Sequence, residues 1–231
     1  MPVEAPIAQR VALVAGGTGL TGRALLQALL KGSDYARIHA ITRRPVPFDN
    51  PRLANRVLPI EQVAARLAGT KVNDAFCCLG APQARRGTRA QLRPVDVELT
   101  LAFARAALGL GATRFVVVSA AGADRNSGND FLKVKGELES ALRELKFPAI
   151  DMLAPGVVTG LRAQMQPADW LDLLRPMLNP LLHGSLAGRR AIAPENLAAA
   201  MLGAARLQRG GVHVHSGTSL QELALSGLRK P

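Results

Sequence analysis

Aromatic residues are scarce in this chain. Phe, Trp and Tyr make up 3% of it, with a single Trp and a single Tyr. That leaves few stacking platforms for unpaired bases, and no nucleic-acid-binding motif is present. The net charge of +12 therefore speaks for solubility and general attraction to anions, and argues against nucleic acid as the main partner. Acids are the minority sign, 17 against 29 Lys and Arg. The arginines are scattered, apart from Arg43–Arg44 and the group Arg85, Arg86, Arg89 and Arg93. Cysteine is limited to the neighbours Cys77 and Cys78, which reads as two small buried hydrophobes and excludes a disulfide-stapled scaffold. A reducing, cytoplasmic setting is expected. No apolar run reaches the ~18 residues of a membrane span, and the run after Arg10 is too short and glycine-rich for a signal peptide, so no membrane partner is expected. Of the four histidines, His213 and His215 share a strand face but lack a third ligand, so no metal site is expected.

What is present is a regular alternation. Short β-branched runs at 10–16, 36–43, 56–60, 71–80, 113–120, 148–156 and 210–217 read as strands. Between them, 20–32, 61–69, 95–111, 130–145 and 219–225 read as helices, with Gly32 closing the first. Strands and helices at this pace predict βαβ units and a Rossmann-like α/β fold, a doubly wound parallel sheet with helices on both faces. Nothing splits the chain, so residues 1–231 are expected to form one domain. Residues 160–195, rich in proline and holding Trp170, read as an excursion that builds a substrate pocket.

The strongest motif is "VALVAGGTGLTGRALL". Gly16, Gly19 and Gly22 satisfy GxxGxxG, and Gly17, Gly19 and Gly22 satisfy GxGxxG. The turn follows a predicted strand and opens a predicted helix. There one glycine allows the tight turn, one lets backbone approach a pyrophosphate, and one lets the helix pack on the sheet. The helix N-terminus adds free N–H groups and a partial positive charge. At the end of the second strand, where an NAD site carries an acid for the ribose 2′-hydroxyl, the sequence is "AITRRP". Arg43 and Arg44 can pair with a 2′-phosphate instead, so the expected cofactor is NADP(H).

The segments "GGTGLTG", "FCCLG", "VDVELTLAFARAALGLGATRFVVVSAAGAD", "FLKVKGELESALRELKF" and "PGVVTG" together resemble an atypical short-chain dehydrogenase/reductase of the Tat-interacting protein (oxidoreductase-like) type, over about residues 10–185. The resemblance implies that Gly16, Gly17, Thr18, Gly19, Leu20, Thr21 and Gly22 hold the pyrophosphate. It implies that Leu79 and Gly80 lie by the adenosine-side ribose, and that Ser119 is the active-site serine. Lys135 is then the lysine on the nicotinamide ribose, and Pro155, Gly156 and Val157 form the turn that meets the carboxamide. Two departures stand out. The family's tyrosine, four residues before the lysine, is Phe131 here, and the arginine before "PG" is Ala154. Tyr35, the one tyrosine, is expected toward the opposite edge of the sheet.

Positions i and i+4 of a helix share a face, so Phe131 and Lys135 point together. In the family's chemistry the tyrosine donates a proton as hydride arrives, worth about 10²–10⁴-fold. Asp124, Asp130 or an arginine of "ARRGTR" are candidate substitutes. Two functions stay open: an NADP(H)-dependent oxidoreductase on a small carbonyl or quinone-type acceptor, and a catalytically silent NADP(H)-binding redox sensor or regulator. The arginines at 85–93 suit either an anionic substrate or a solvated surface. Monomer and homodimer are equally compatible with the sequence.

Overall fold

The computed structural model describes residues 10–81, 87–159, 191–207 and 209–229. The strands are β1 (Val11–Ala15), β2 (Arg37–Thr42), β3 (Leu53–Val57), β4 (Asp74–Cys77), β5 (Arg114–Val118) and β6 (Ala149–Leu153), then β7 (Val157–Val158), β8 (Ala191–Ile192) and β9 (Gly211–His215). Helices α1 (Leu20–Lys31), α2 (Val63–Arg66), α3 (Arg89–Arg93), α4 (Thr100–Gly109), α5 (Asp130–Arg143), α6 (Pro194–Arg206) and α7 (Thr218–Leu228) lie between and after them.

Seven strands form one parallel sheet in the order β3-β2-β1-β4-β5-β6-β9. Its central strands are apolar at nearly every position because both faces are covered. On one face Leu13, Ala75, Phe115, Val117 and Ile150 pack against α2, α4 and α5 through Val63, Phe103, Ala107, Val134, Leu138 and Leu142. On the other, Ala12, Val14, Phe76, Val116 and Leu153 pack against α1, α6 and α7 through Leu25, Leu29, Leu197, Met201 and Leu220. The strand order reverses between β1 and β4. In such sheets ligands bind beyond the carboxyl ends of the strands at that reversal.

Several expected boundaries shift. The third strand starts at Leu53 rather than Arg56, because this edge strand is only half covered and lacks a clean apolar run. The helix expected over 61–69 is a tight turn at Ile60–Gln62 followed by one turn of α2. The helix expected from 95 begins at Arg89, where Thr88 and Gln91 form a capping box, and passes through a π-helical turn at Pro94–Leu99 into α4. Gly32 does follow α1, in extended backbone and with its N–H donating to Ala28 O. Helix α6 is absent from the sequence reading. It is covered on almost every side, so its "PENLAAAMLGAAR" shows no polar face to mark a period. Of the expected 160–195 excursion, residues 160–190, with Trp170, lie outside the described residues, as do Arg85 and Arg86.

Candidate functional site

The turn after β1 is built by close backbone approach. Gly16 sits at φ +83, and a Cβ there would lie 2.6 Å from the Cys78 backbone at the end of β4. A Cβ on Gly22 would lie 2.1 Å from Gly16 O, so the first turn of α1 rests directly on the loop. Gly19 N–H donates to Gly16 O at 3.0 Å, which closes the turn. Thr18, Gly19 and Leu20 face outward, no side chain caps α1, and its first turn holds no acid. The result is a helix N-terminus open to an anion, in a cradle that a side chain at Gly16 or Gly22 would fill. The cradle fits a dinucleotide pyrophosphate on backbone shape alone.

Arg43 and Arg44 follow β2, both exposed, and neither makes a hydrogen bond or ion pair within the described residues. Leu79 is half-buried and Gly80 exposed on the loop after β4. Pro155, Gly156 and Val157 follow β6, with Pro155 buried. The glycine turn, the β4 loop and the β6 turn thus occupy successive positions along the carboxyl edge. Beyond the β6 turn a cleft is lined by Gly156, Ile192, Asn196, Gln221, Leu225 and Leu228. Leu225 and Leu228 are 63% and 66% exposed, so its outer wall is apolar.

The serine, phenylalanine and lysine come together at the β5–α5 corner. Asn129 Oδ1 accepts from Leu132 N at 3.1 Å and starts α5, whose Asp130 and Arg143 complement the helix dipole. Gly136 lets α5 press on the β5 loop, since a Cβ there would meet Arg125 N at 2.2 Å. Phe131 packs partly buried against the core, with the Lys135 ammonium 6.0 Å from its ring centre. Lys135 is 4% exposed. Its Nζ lies 2.6 Å from Asp96 Oδ1 and donates to Val118 O at 3.4 Å. The pairing with Oδ1 is close but poorly angled for a hydrogen bond, and that oxygen has no other partner. Asp96 Oδ2 accepts from Ala81 N at 3.0 Å, so one carboxylate ties the lysine to the β4 loop.

Ser119 is buried, and its hydroxyl donates to Glu139 Oε1. Burial pushes the Glu139 carboxyl above its ordinary value, against the opposing effects of Ser119, Arg143 and Lys135. Asp96 and Glu139 were not singled out from sequence. Glu139 extends the Phe131–Lys135 spacing by one more turn, a signal that was available. Asp96 sits in the π-helical turn, where ordinary spacing rules give no guide.

The substitute acids named from sequence are otherwise engaged. Asp124 Oδ1 accepts from Asn126 N at 2.9 Å, and Asp130 Oδ2 accepts from Arg89 N at 2.9 Å. Of the arginine group, Arg89 lies 2.7 Å from Glu137 Oε1, and Arg93 pairs with Glu137 and Glu98. These two are exposed and brace α3 on α5 through surface ion pairs, as a solvated charged face does. Tyr35 is buried at the opposite edge, its hydroxyl donating to Asp74 at 2.8 Å. Cys77 is fully buried with its thiol pushed up to about 11, while Cys78 is partly buried against Met201. Both are free thiols, and burial makes Cys77 a packing residue. His215 pairs with Asp151 at 2.9 Å, and His213 bonds Gly210 O.

Comparison with known proteins places this geometry. Residues 16–150 match the family model described as NAD(P)H-binding. Protein HTATIP2 of Rattus norvegicus is 32% identical over 162 residues, covering 68% of this chain and 66% of that protein. The mitochondrial protein FMP52 of Eremothecium gossypii is 33% identical over 151 residues, covering 65% of this chain and 67% of that one. The chain thus spans about two thirds of these relatives' length. Among solved structures, a short-chain dehydrogenase family protein from Francisella tularensis superposes with TM-score 0.70 at 15% identity, covering 92% of this chain and 99% of that one. A short-chain dehydrogenase from Burkholderia cenocepacia in complex with NADP superposes at 0.66 and 20% identity, covering 95% and 92%. No helix among the described residues is long and apolar enough to cross a membrane. With its glycine cradle at the strand reversal and its matched core, the chain belongs to the NAD(P)H-binding, HTATIP2/FMP52-like family of atypical short-chain dehydrogenases/reductases.

Proposed function

We propose that the protein is an NADP(H)-dependent oxidoreductase acting on a small carbonyl or quinone-type acceptor, with Phe131 in place of the family's proton-donating tyrosine. The pair Arg43–Arg44 carries the cofactor choice. Both guanidinium groups stand exposed at the end of β2, uncommitted among the described residues, where an NAD site would hold an acid. A 2′-phosphate offers them bidentate, charge-assisted bonds.

When bound, the nicotinamide cofactor supplies a hydride. The chain's own residues bind and orient. Backbone N–H groups between Gly17 and Gly22, apart from the Gly19 N–H that closes the turn, receive the pyrophosphate. The Lys135 ammonium has three N–H donors; one goes to Val118 O while the Asp96 carboxylate lies beside it as an ion pair, and a ribose hydroxyl accepts from another. The turn Pro155–Val157 receives the carboxamide. The apolar cleft beside it suits an uncharged acceptor, with Asn196 and Gln221 as its polar groups. Ser119 is the hydroxyl available to orient a carbonyl. The reducing setting that two free thiols favour suits the cytosol, and the mitochondrial relatives widen it to that compartment as well.

A second reading, an NADP(H)-binding sensor without turnover, is favoured by Phe131 alone. Incubating the protein with NADPH and a panel of aldehydes, ketones and quinones separates the two. Acceptor-dependent loss of NADPH absorbance supports the oxidoreductase. NADPH binding with no oxidation across the panel leaves the sensor, and absence of NADPH binding overturns both.

A further inference from the structure

Loss of the tyrosine leaves a proton to be found. We propose that Glu139 supplies it through the Ser119 hydroxyl. This rests on the oxidoreductase reading above.

The geometry starts with α5. Phe131, Lys135 and Glu139 recur every four residues and share one face, so the helix presents a ring, an ammonium and a carboxyl in a line toward the end of β5. The ring has no proton to give. The ammonium is held by Asp96 and Val118 O, and its remaining N–H is the one assigned to the cofactor ribose in the reading above. The carboxyl touches the Ser119 hydroxyl directly. Asp124, Asp130, Arg89 and Arg93 all hold other partners, and Tyr35 is at the far edge of the sheet. Asp96, the other carboxyl at this corner, is held by Lys135 and Ala81 N, whereas Glu139 is the one in contact with a hydroxyl among the described residues.

The direction of that hydrogen bond depends on the carboxyl's charge. With Glu139 ionised, the hydroxyl donates to it and its proton is turned from any substrate. With Glu139 protonated, the acid donates to the serine oxygen and the serine proton is released toward the acceptor. Burial favours the protonated form, while Arg143, Lys135 and the Ser119 hydroxyl oppose it. In the reducing direction the carbonyl carbon receives a hydride from the reduced nicotinamide, and the C=O π pair moves to oxygen. That oxygen takes the Ser119 proton as the serine O–H breaks. The serine oxygen takes the Glu139 proton, and solvent reprotonates the carboxylate. One hydride and one proton are consumed per alcohol formed.

The acceptors provide the discriminating test. A ketone or aldehyde yields a strongly basic alkoxide that needs a proton as it forms. A quinone yields a far less basic, phenolate-type hydroquinone anion, which forms without a general acid and takes its proton from water afterwards. Glu139→Gln keeps the hydrogen bond and loses the acid. It should slow ketone and aldehyde reduction by about 10²–10⁴-fold, the usual range for general acid catalysis, with quinone reduction and NADPH affinity within about threefold of the parent. A purely structural Glu139 would lower both acceptor classes together, and that result overturns the proposal. So does full ketone activity in the variant, or a panel with no carbonyl reduction by the NADPH-bound parent. A titration without cofactor gives the second readout. Carbon-13 NMR of the Glu139 carboxyl, assigned through the Gln variant, should show a midpoint above 4.5, rising further in Ser119→Ala. A midpoint at or below 4.5 overturns the proposal whatever the kinetics. Failure of NADPH to bind the parent identifies the cofactor reading, rather than this relay, as the fault.

Discussion

The two edges of the sheet use polar residues in opposite ways. At the amino edge the buried charges satisfy one another. Asp74 accepts from Tyr35 and pairs with Arg10, and Arg206 grips Asp34 at 2.8 Å while donating to the backbone oxygens of Ser226, Gly227 and Arg229. A little further in, Arg114 and His215 share Asp151. At the carboxyl edge donors are left over. The α1 N-terminus is uncapped, Arg43 and Arg44 lack partners among the described residues, and Lys135 keeps a spare proton. Closed networks fix a fold, whereas uncommitted donors at a strand reversal mark where a ligand completes the set.

Breaking the buried Lys135–Asp96 ion pair at the carboxyl edge should have the largest effect. Lys135→Met leaves Asp96, 1% exposed, as an uncompensated charge. A loss of about 3–5 kcal/mol is expected in urea unfolding, with Asp96→Asn added in the same chain recovering most of it. No recovery in the double variant would mean the two side chains do not act as a pair. Gly22→Ala comes next, because its Cβ would strike Gly16 O. It should cost about 1–3 kcal/mol and abolish NADPH binding, since the cradle itself must move. Retained binding would place the pyrophosphate elsewhere.

The amino edge supplies the contrast. Tyr35→Phe removes a hydrogen bond from buried Asp74 and should cost about 1–3 kcal/mol with NADPH affinity unchanged. A matching fall in affinity would dissolve the distinction between the edges. The smallest effect is on pH. His39 is buried in β2, its Nδ1 has no partner, and burial with Arg56 and Arg37 lowers its proton affinity. The unfolded chain then binds the extra proton, so stability is lost as pH falls below the ordinary 6.5 toward the lower folded value. His39→Phe should flatten that part of the urea-stability profile, and an unchanged slope would point to another group.

The glycine turn and the parallel sheet were legible because local spacing determines them. A turn that needs φ > 0 at Gly16 and contact at Gly22 leaves its glycines in the sequence. The distant edge for Tyr35 followed from the same strand order. Helix α6 was not legible, because full burial erases the periodicity that marks a surface helix. Asp96 and Glu139 were missed for a different reason. Their roles lie in partners 39 and 20 residues away in the chain, at Lys135 and Ser119, which only the packing of α5 on β5 brings together. The arginines at 89 and 93 are the surface charges the sequence suggested, but their partners Glu137 and Glu98 were not legible in it.

The central claim is that the carboxyl edge is a site for NADP(H) chosen by Arg43 and Arg44. Fluorescence titration of the parent and of the Arg43→Ala, Arg44→Ala double variant with NADPH and NADH tests it most directly. The parent should bind NADPH about 10–100-fold more tightly than NADH, from charge-assisted bonds worth about 1.5–3 kcal/mol, and the double variant should bind both alike. Equal affinity for the two cofactors in the parent, or a preference that survives the double substitution, would contradict it.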